Sequence, residues 1–260
     1  MWRGDLPVNL RGAAPREVYP FVVSDYDELS GCAARIILET LRARPDAVIS
    51  FTTGRTMAGT YGRLGDLYRE GALDLAAARL ISSEEYVGVG ATDPISLFGW
   101  LRRELLDPCG VSPAAVLRLA GDAPEPAAEC HYFDVAIERL GGIDLVVQSI
   151  GPNGHFGFNE PGSARDAPSR MVALAASTRQ SNTDYWHDGA RVPARGLTMG
   201  LRPTLQARHV LLLASGAIKA AALASAVEGP IGEGVPCSLL RLAPRLTILA
   251  DAEAAGGLRR

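Results

Sequence analysis

The segment that most limits what this chain can fold into is Ile143 to Ile150, IDLVVQSI, entered through Gly141-Gly142 and left through Gly151-Pro152. An aliphatic, β-branched run of this length, bounded on both sides by turn residues, predicts a strand buried on both faces. His209 to Ala214 (HVLLLA) has the same character. Shorter apolar runs at Tyr19–Ser24, Ala47–Phe51, Ala78–Ser82, Ala115–Leu119 and Leu246–Ala250 complete a series of strands. Between them lie stretches with helical spacing: Asp27 to Arg44, with Asp25 or Asp27 placed to cap it; Thr56 to Glu70; Leu97 to Leu106; Ala127 to Leu140; and Ala217 to Val227. Buried strands alternating with helices predict an α/β fold, a doubly wound, Rossmann-like and mostly parallel sheet with helices on both faces. No repeat or long linker divides the chain, so residues 1–260 read as a single domain, with Gly121 to Pro126 a loop and the tail from Ala252 to Arg260 expected to fray.

In such folds ligands sit beyond the carboxyl ends of the strands. The unusual polar residues of this chain cluster there: Thr52 to Thr56, Ser83 to Tyr86, Gly151 to Glu160 and Ser215 to Lys219 each follow an apolar run. A formal net charge of −3 argues against a nucleic-acid partner. No apolar run is long enough to span a bilayer, and the N-terminus lacks the apolar stretch of a signal peptide, so a cytoplasmic protein without membrane association is expected. Cys32, Cys109, Cys130 and Cys237 have no metal-binding spacing, and neither a metal site nor another cofactor is implied. Oligomeric assembly is left open.

Of the 26 basic residues only one, Lys219, is a lysine. A compact ammonium on a flexible stem suits a phosphate or carboxylate at close range, although codon bias explains the Arg excess equally well. Lys219 opens a helix after a buried strand, an unfavourable place for a cation unless an anion joins it. Thr53-Gly54-Arg55-Thr56 also opens a helix, where small residues and free N–H groups can receive an anion. Glu84 and Glu85 at a strand end could include a general base, or could simply cap the next segment. In Gly151-Pro152-Asn153-Gly154-His155 the Gly-Pro and Asn-Gly steps enforce a tight turn that presents His155 at the mouth of the sheet. Glu160 lies five residues on and can orient it, an arrangement suited to proton transfer near neutral pH. The bland reading is a loop histidine held by a backbone carbonyl. His131, His187 and His209 have no comparable setting.

These segments resemble the glucosamine-6-phosphate deaminase family, within the wider group that includes 6-phosphogluconolactonases. The likeness runs from about Tyr19 to Asp251. GPNGHFGFNEPGS at Gly151 to Ser163 is similar to the family's GPDGHIAFNEPGS, and EEYVG at Glu84 to Gly88 is similar to its DEYVG. LTMGLRPTLQARHVLLLASGAIKA matches a third family pattern. The resemblance implies a doubly wound parallel sheet and a reaction that opens the sugar ring, moves a proton from C2 to C1 and releases ammonia. It implies that His155 protonates the ring oxygen, that Glu160 orients and tunes it, that Glu84 is the C2 proton-transfer base, and that Lys219 with Thr53, Gly54, Arg55 and Thr56 holds the phosphate. Asn153 falls in the catalytic loop, and Glu85 and Gly154 are expected at the substrate.

Four positions depart from the family pattern. Glu84 replaces Asp, which moves the carboxylate by roughly 1.5 Å, a displacement able to cost about a hundredfold if uncompensated. Asn153 replaces an Asp and cannot supply charge to an imidazolium, so the pKa of His155 should fall. Arg55 occupies a place usually held by a small residue. Asp184 falls where an Arg usually helps to bind phosphate, which suggests that Arg55 and Asp184 pair, or that the substrate's anionic end has moved or been replaced. A regulatory site of the family type is incomplete, since Arg170 is followed by Val172 where a Lys is usual. The leading reading is an amino-sugar phosphate deaminase/isomerase. The alternatives are a diverged member acting on a different or non-phosphorylated amino sugar, a lactonase-like hydrolase, and a sensor that kept the pocket and lost turnover.

Overall fold

A computed structural model describes residues 18–183 and 192–259. The chain opens with β1 (Phe21–Val23) and α1 (Tyr26–Ala43), whose N-terminus is capped by Asp25: its carboxylate accepts the Glu28 N–H at 2.9 Å. Then come β2 (Val48–Phe51), α2 (Arg55–Arg69), β3 (Arg79–Ser82), β4 (Glu84–Tyr86) and α3 (Leu97–Leu101), which runs into a wider helical turn over Arg102–Leu106. Next are β5 (Leu117–Arg118), α4 (Pro126–Arg139), β6 (Leu145–Ser149), β7 (Arg170–Ala173) and α5 (Ala176–Thr183). The series closes with β8 (Arg195–Thr198), α6 (Leu201–Gln206), β9 (His209–Ala214), α7 (Ala220–Glu228), α8 (Pro236–Leu239) and β10 (Leu246–Asp251).

Among the described residues, seven strands form a parallel sheet in the order β1-β10-β9-β6-β2-β3-β5. The two clearest apolar runs of the sequence, β6 and β9, lie side by side near its centre. Their side chains alternate between two cores. Val146, Val210, Leu212 and Ala214 join the one built with α4, α6, α7 and α8. Leu145, Val147, Leu211 and Leu213 join the one built with α1, α2 and α3. Burial on both faces is why these strands read as continuous apolar runs. From β2 the chain winds outward through β3 to β5, and from β6 it winds the other way through β9 to β10. The winding therefore reverses between β2 and β6, where the strand ends leave a crevice.

Three expectations need correction. A second, antiparallel sheet of β4-β8-β7 stands beside the first, and the sequence reading had no strand at any of these places. The strands are only three or four residues long and carry Glu84 and Glu85, Arg170, and Arg195, so their sequences show no apolar run. Through Arg259, the last described residue, the tail is held against the fold: Ala254 is fully buried, its N–H bonds the Asp251 carboxylate at 2.8 Å, and Arg259 N–H bonds Glu228 at 2.6 Å. The helix expected from Ala217 begins as a 3₁₀ turn over Ala217–Lys219, and α7 follows. Among the described residues no helix is long and apolar enough to cross a membrane.

Candidate active site

The crevice at the reversal point opens into a cavity of about 590 Å³, lined by residues that follow β2, β3, β6 and β9. Glu84, His155, Lys219 and the loop Thr53 to Thr56 all reach it. Segments scattered along the sequence converge because parallel strands place all their carboxyl ends on one edge.

Glu84 lies two residues beyond β3, as the first residue of β4, and is almost fully buried. Its Oε1 accepts the Thr52 hydroxyl at 2.5 Å and the Thr53 N–H at 2.9 Å, while its Oε2 accepts the Ser83 hydroxyl. Burial raises its pKa above the ordinary carboxylate value, and these hydrogen bonds offset part of that rise. A buried carboxylate with a raised pKa, exposed to a cavity, is suited to accept and return a proton. Gly157 lies over it: a Cβ there would stand 3.3 Å from Glu84 Oε2 and 3.2 Å from the Thr198 hydroxyl. Its φ of +51° also favours glycine.

Glu85, one residue on, turns the other way. Its Oε1 accepts the N–H groups of Tyr86 and Leu97 at 2.9 and 3.0 Å, and its Oε2 accepts the Ser96 hydroxyl and the Phe98 N–H at 2.6 and 3.1 Å. It caps α3 and does not line the cavity, so the expectation that it meets substrate is withdrawn.

His155 leaves the turn after β6 with its ring against Gly151, where a Cβ would stand 2.2 Å from the ring Cε1. Its Nδ1 lies 2.5 Å from Asn153 Oδ1, and Asn153 Nδ2 donates to Glu160 Oε2 at 2.9 Å. Glu160 Oε2 is itself 3.7 Å from His155 Nδ1, and its Oε1 accepts the Ala175 N–H at 3.2 Å. Burial, the larger influence, and Lys219 pull the His155 pKa below its ordinary value, while Glu160 pulls it up. Asn153 and Glu160 stand behind the ring and do not line the cavity. Gly154 does not line it either, contrary to expectation: it forms the turn with φ +85°, and its carbonyl accepts the Cys237 N–H at 2.9 Å.

α2 starts at Arg55 with no side-chain cap, and Thr53, Gly54, Arg55 and Thr56 line the cavity at that helix start; the Met57 N–H is taken by the Gly54 carbonyl at 2.8 Å. Lys219 Nζ donates to the Thr56 hydroxyl at 2.7 Å, which ties the turn after β9 to the first turn of α2. Burial lowers the Lys219 pKa to about 8; Cys237 and Asp251 pull it up, and Arg55 pulls it down. Arg55 is thus near enough to Lys219 to be felt electrostatically. Asp184 lies outside the described residues.

Several lining residues were not singled out in the sequence. Thr52 and Ser83 lie inside segments marked as unusual, and their hydroxyls are what hold Glu84. Leu97, Trp100 and Phe158 form an apolar wall, Thr178 Oγ1 lies 3.4 Å from His155 Nδ1, and Asn182 donates to the Tyr86 hydroxyl at 2.7 Å. Trp100 and Thr178 sit in helices whose sequence carries no mark of a site. In a second hollow beside β7, the Arg170 guanidinium is taken up by Asn159 and Ser163 at 2.9 and 2.8 Å, and Val172 shares the lining. Cys130 is buried and the adjacent His131 exposed; among the described residues no group of His, Cys, Asp and Glu is arranged for a metal.

With this geometry in hand, residues 26–248 match the family of glucosamine-6-phosphate isomerases/6-phosphogluconolactonases. The chain belongs to that family. It is 37% identical over 231 residues to a glucosamine-6-phosphate deaminase of a Geobacillus species, covering 89% of this chain and 92% of that one. It is 40% identical over 227 residues to that of Streptomyces coelicolor, covering 87% of each. Among solved structures, a monomeric glucosamine-6-phosphate deaminase superposes with a TM-score of 0.89 at 35% identity, over 92% of this chain and all of the other. A 6-phosphogluconolactonase of Trypanosoma brucei, 22% identical, shares the fold with a TM-score of 0.71 over 93% of this chain and all of that one.

Proposed function

We propose that this protein is a glucosamine-6-phosphate deaminase, opening the ring of an amino-sugar phosphate, moving a proton from C2 to C1 and releasing ammonia. The observation that carries the reading is the pairing of two proton-transfer groups, Glu84 and His155, with the cationic end of the same cavity, in a chain whose relatives at 37 and 40% identity bear that name. In this reading the phosphate lies between Lys219, Arg55 and the N-terminus of α2, with Thr53, Gly54 and Thr56 supplying N–H and hydroxyl donors. Glu84 takes the C2 proton and returns it to C1. His155, held by Asn153 and Glu160, moves the proton that opens the ring. Glu84 is longer than the aspartate it replaces, and its clamp by Thr52, Thr53 and Ser83 removes the freedom that the extra methylene would bring.

The proposal is tested by following ammonia and ketose formation from glucosamine 6-phosphate, with free glucosamine in parallel. Turnover of the phosphate alone supports it. Turnover of free glucosamine at an equal rate, or ketose without ammonia, contradicts it. Arg55→Ser should raise KM for the phosphate about tenfold or more while kcat changes little, as expected for a charged contact at the phosphate and away from the reacting carbons.

A further inference from the structure

We propose that Tyr26 is a positioning residue for the cationic end of the cavity: its hydroxyl ties the first turn of α2 to the start of α1 and so holds Arg55 and Thr56 in place to receive an anion. That the anion is the substrate's phosphate rests on the deaminase reading above; the tie itself does not.

Tyr26 is the first residue of α1, the helix that Asp25 caps. Its hydroxyl accepts the Gly59 N–H at 2.7 Å and donates to the Arg55 carbonyl at 2.8 Å. Arg55 and Gly59 stand four residues apart, the spacing of the two groups that form one rung of an α-helix. The phenol therefore grips both ends of the rung at Arg55, the residue with which α2 begins. The local chain supplies little hold of its own. The helix has no side-chain cap, and the residue before it is Gly54, at φ +130°. Uncapped first turns are where helices open most readily.

The helix crossing is shaped to allow this contact. Gly59 lies inside α2, where glycine costs about 1 kcal/mol relative to alanine. A Cβ there would overlap the Ser30 hydroxyl and stand 3.0 Å from the ring carbon of Tyr26 that bears the hydroxyl. Ser30 in turn donates to the Tyr26 carbonyl at 2.8 Å. A side chain at position 59 would push the two helices apart and draw the phenol off the rung.

Tyr26 lines the cavity, yet it is not itself a ligand for the anion. A phenol has one hydrogen, and Tyr26 spends it on the Arg55 carbonyl. The groups that meet the anion are those it holds. The Thr56 hydroxyl accepts from Lys219 Nζ at 2.7 Å, which leaves its own hydrogen to give. The Arg55 side chain is long and exposed, and a backbone fixed beneath it narrows the range over which its guanidinium moves. The first turn of α2 is thus pinned from two sides, by Tyr26 from α1 and by Lys219 from the turn after β9. Glu84 and His155, which act at the reacting carbons, are held by other partners.

The test compares the full-length protein with Tyr26→Phe and Ser30→Ala, using glucosamine 6-phosphate as substrate and inorganic phosphate as a probe titrated calorimetrically into resting protein. In Tyr26→Phe the KM and the phosphate dissociation constant should both rise about three- to tenfold, the worth of one hydrogen bond, while kcat stays within about twofold. Ser30→Ala removes a contact at the same crossing and leaves the rung gripped. It should lower stability to chemical denaturation and leave both constants unchanged. Native constants in Tyr26→Phe, a fall in kcat at unchanged KM, an equal rise of both constants in Ser30→Ala, or a native protein that binds no phosphate would each overturn the inference. Titration needs no turnover, so the two readings fail separately. Weaker phosphate binding in Tyr26→Phe with no ammonia from the native protein would sink the deaminase reading alone. Ammonia release with equal phosphate affinities would sink this inference alone.

Discussion

Glu84 and Glu85 are neighbours in sequence, both buried, and burial raises both of their pKa values. Their partners differ in kind. Each oxygen of Glu85 meets at least one backbone N–H, a donor that cannot reverse: Tyr86 and Leu97 on one, Phe98 on the other. Glu84 has a backbone donor on Oε1 only, and its Oε2 meets the Ser83 hydroxyl, which can turn and donate instead to the Phe51 carbonyl 3.2 Å away. One carboxylate is consumed in holding α3. The other keeps an oxygen whose proton state can change, and that oxygen lies where the cavity begins. Chemical identity and burial do not distinguish a working carboxylate from a structural one; the reversibility of its partners does.

The largest expected effect separates the two directly. Glu84→Gln should lower turnover by about a hundred- to ten-thousandfold with the fold intact, because Ser83 can accept from the new amide while Oε1 keeps its donors. A rate within a few-fold of the native protein would remove Glu84 from the chemistry. Glu85→Gln should do the reverse. Its amide must point NH₂ at a backbone N–H whichever way it turns, which leaves buried donors unpaired and costs about 1–3 kcal/mol of stability, visible in chemical denaturation, with turnover per folded molecule retained. A smaller effect sharpens the contrast through pH. The folded-state pKa of Glu84 is raised, so its folded form holds the proton longer than the unfolded chain does. Its contribution is fully present below the unfolded carboxylate pKa of about 4.3 and is lost as pH rises through the folded value. Glu84→Gln should therefore gain stability relative to the native protein from about pH 4.5 upward; a constant difference across that range would contradict the raised pKa.

How much of this was legible in the sequence follows the same division. The parallel sheet was readable because β6 and β9 are buried on both faces and leave an unmistakable apolar signature. The β4-β8-β7 sheet was not, since strands of three or four residues that carry Glu84, Glu85, Arg170 and Arg195 resemble loops in sequence. His155, Glu84 and Lys219 stood out as polar residues in the segments that follow buried strands, and all three line the cavity. Glu85 and Gly154 carried the same signal for a different reason: one caps a helix and the other makes a turn, and adjacency in sequence cannot say which way a side chain faces. Trp100 and Thr178 reach the cavity from helices, and only tertiary packing brings them there.

The measurement that bears most directly on the account is ammonia release from glucosamine 6-phosphate by the native protein, Glu84→Gln and Glu85→Gln, side by side at a temperature where all three are folded. The account predicts comparable rates for the native protein and Glu85→Gln, and a loss of at least about a hundredfold for Glu84→Gln. Unimpaired release by Glu84→Gln, or loss confined to Glu85→Gln, would contradict it.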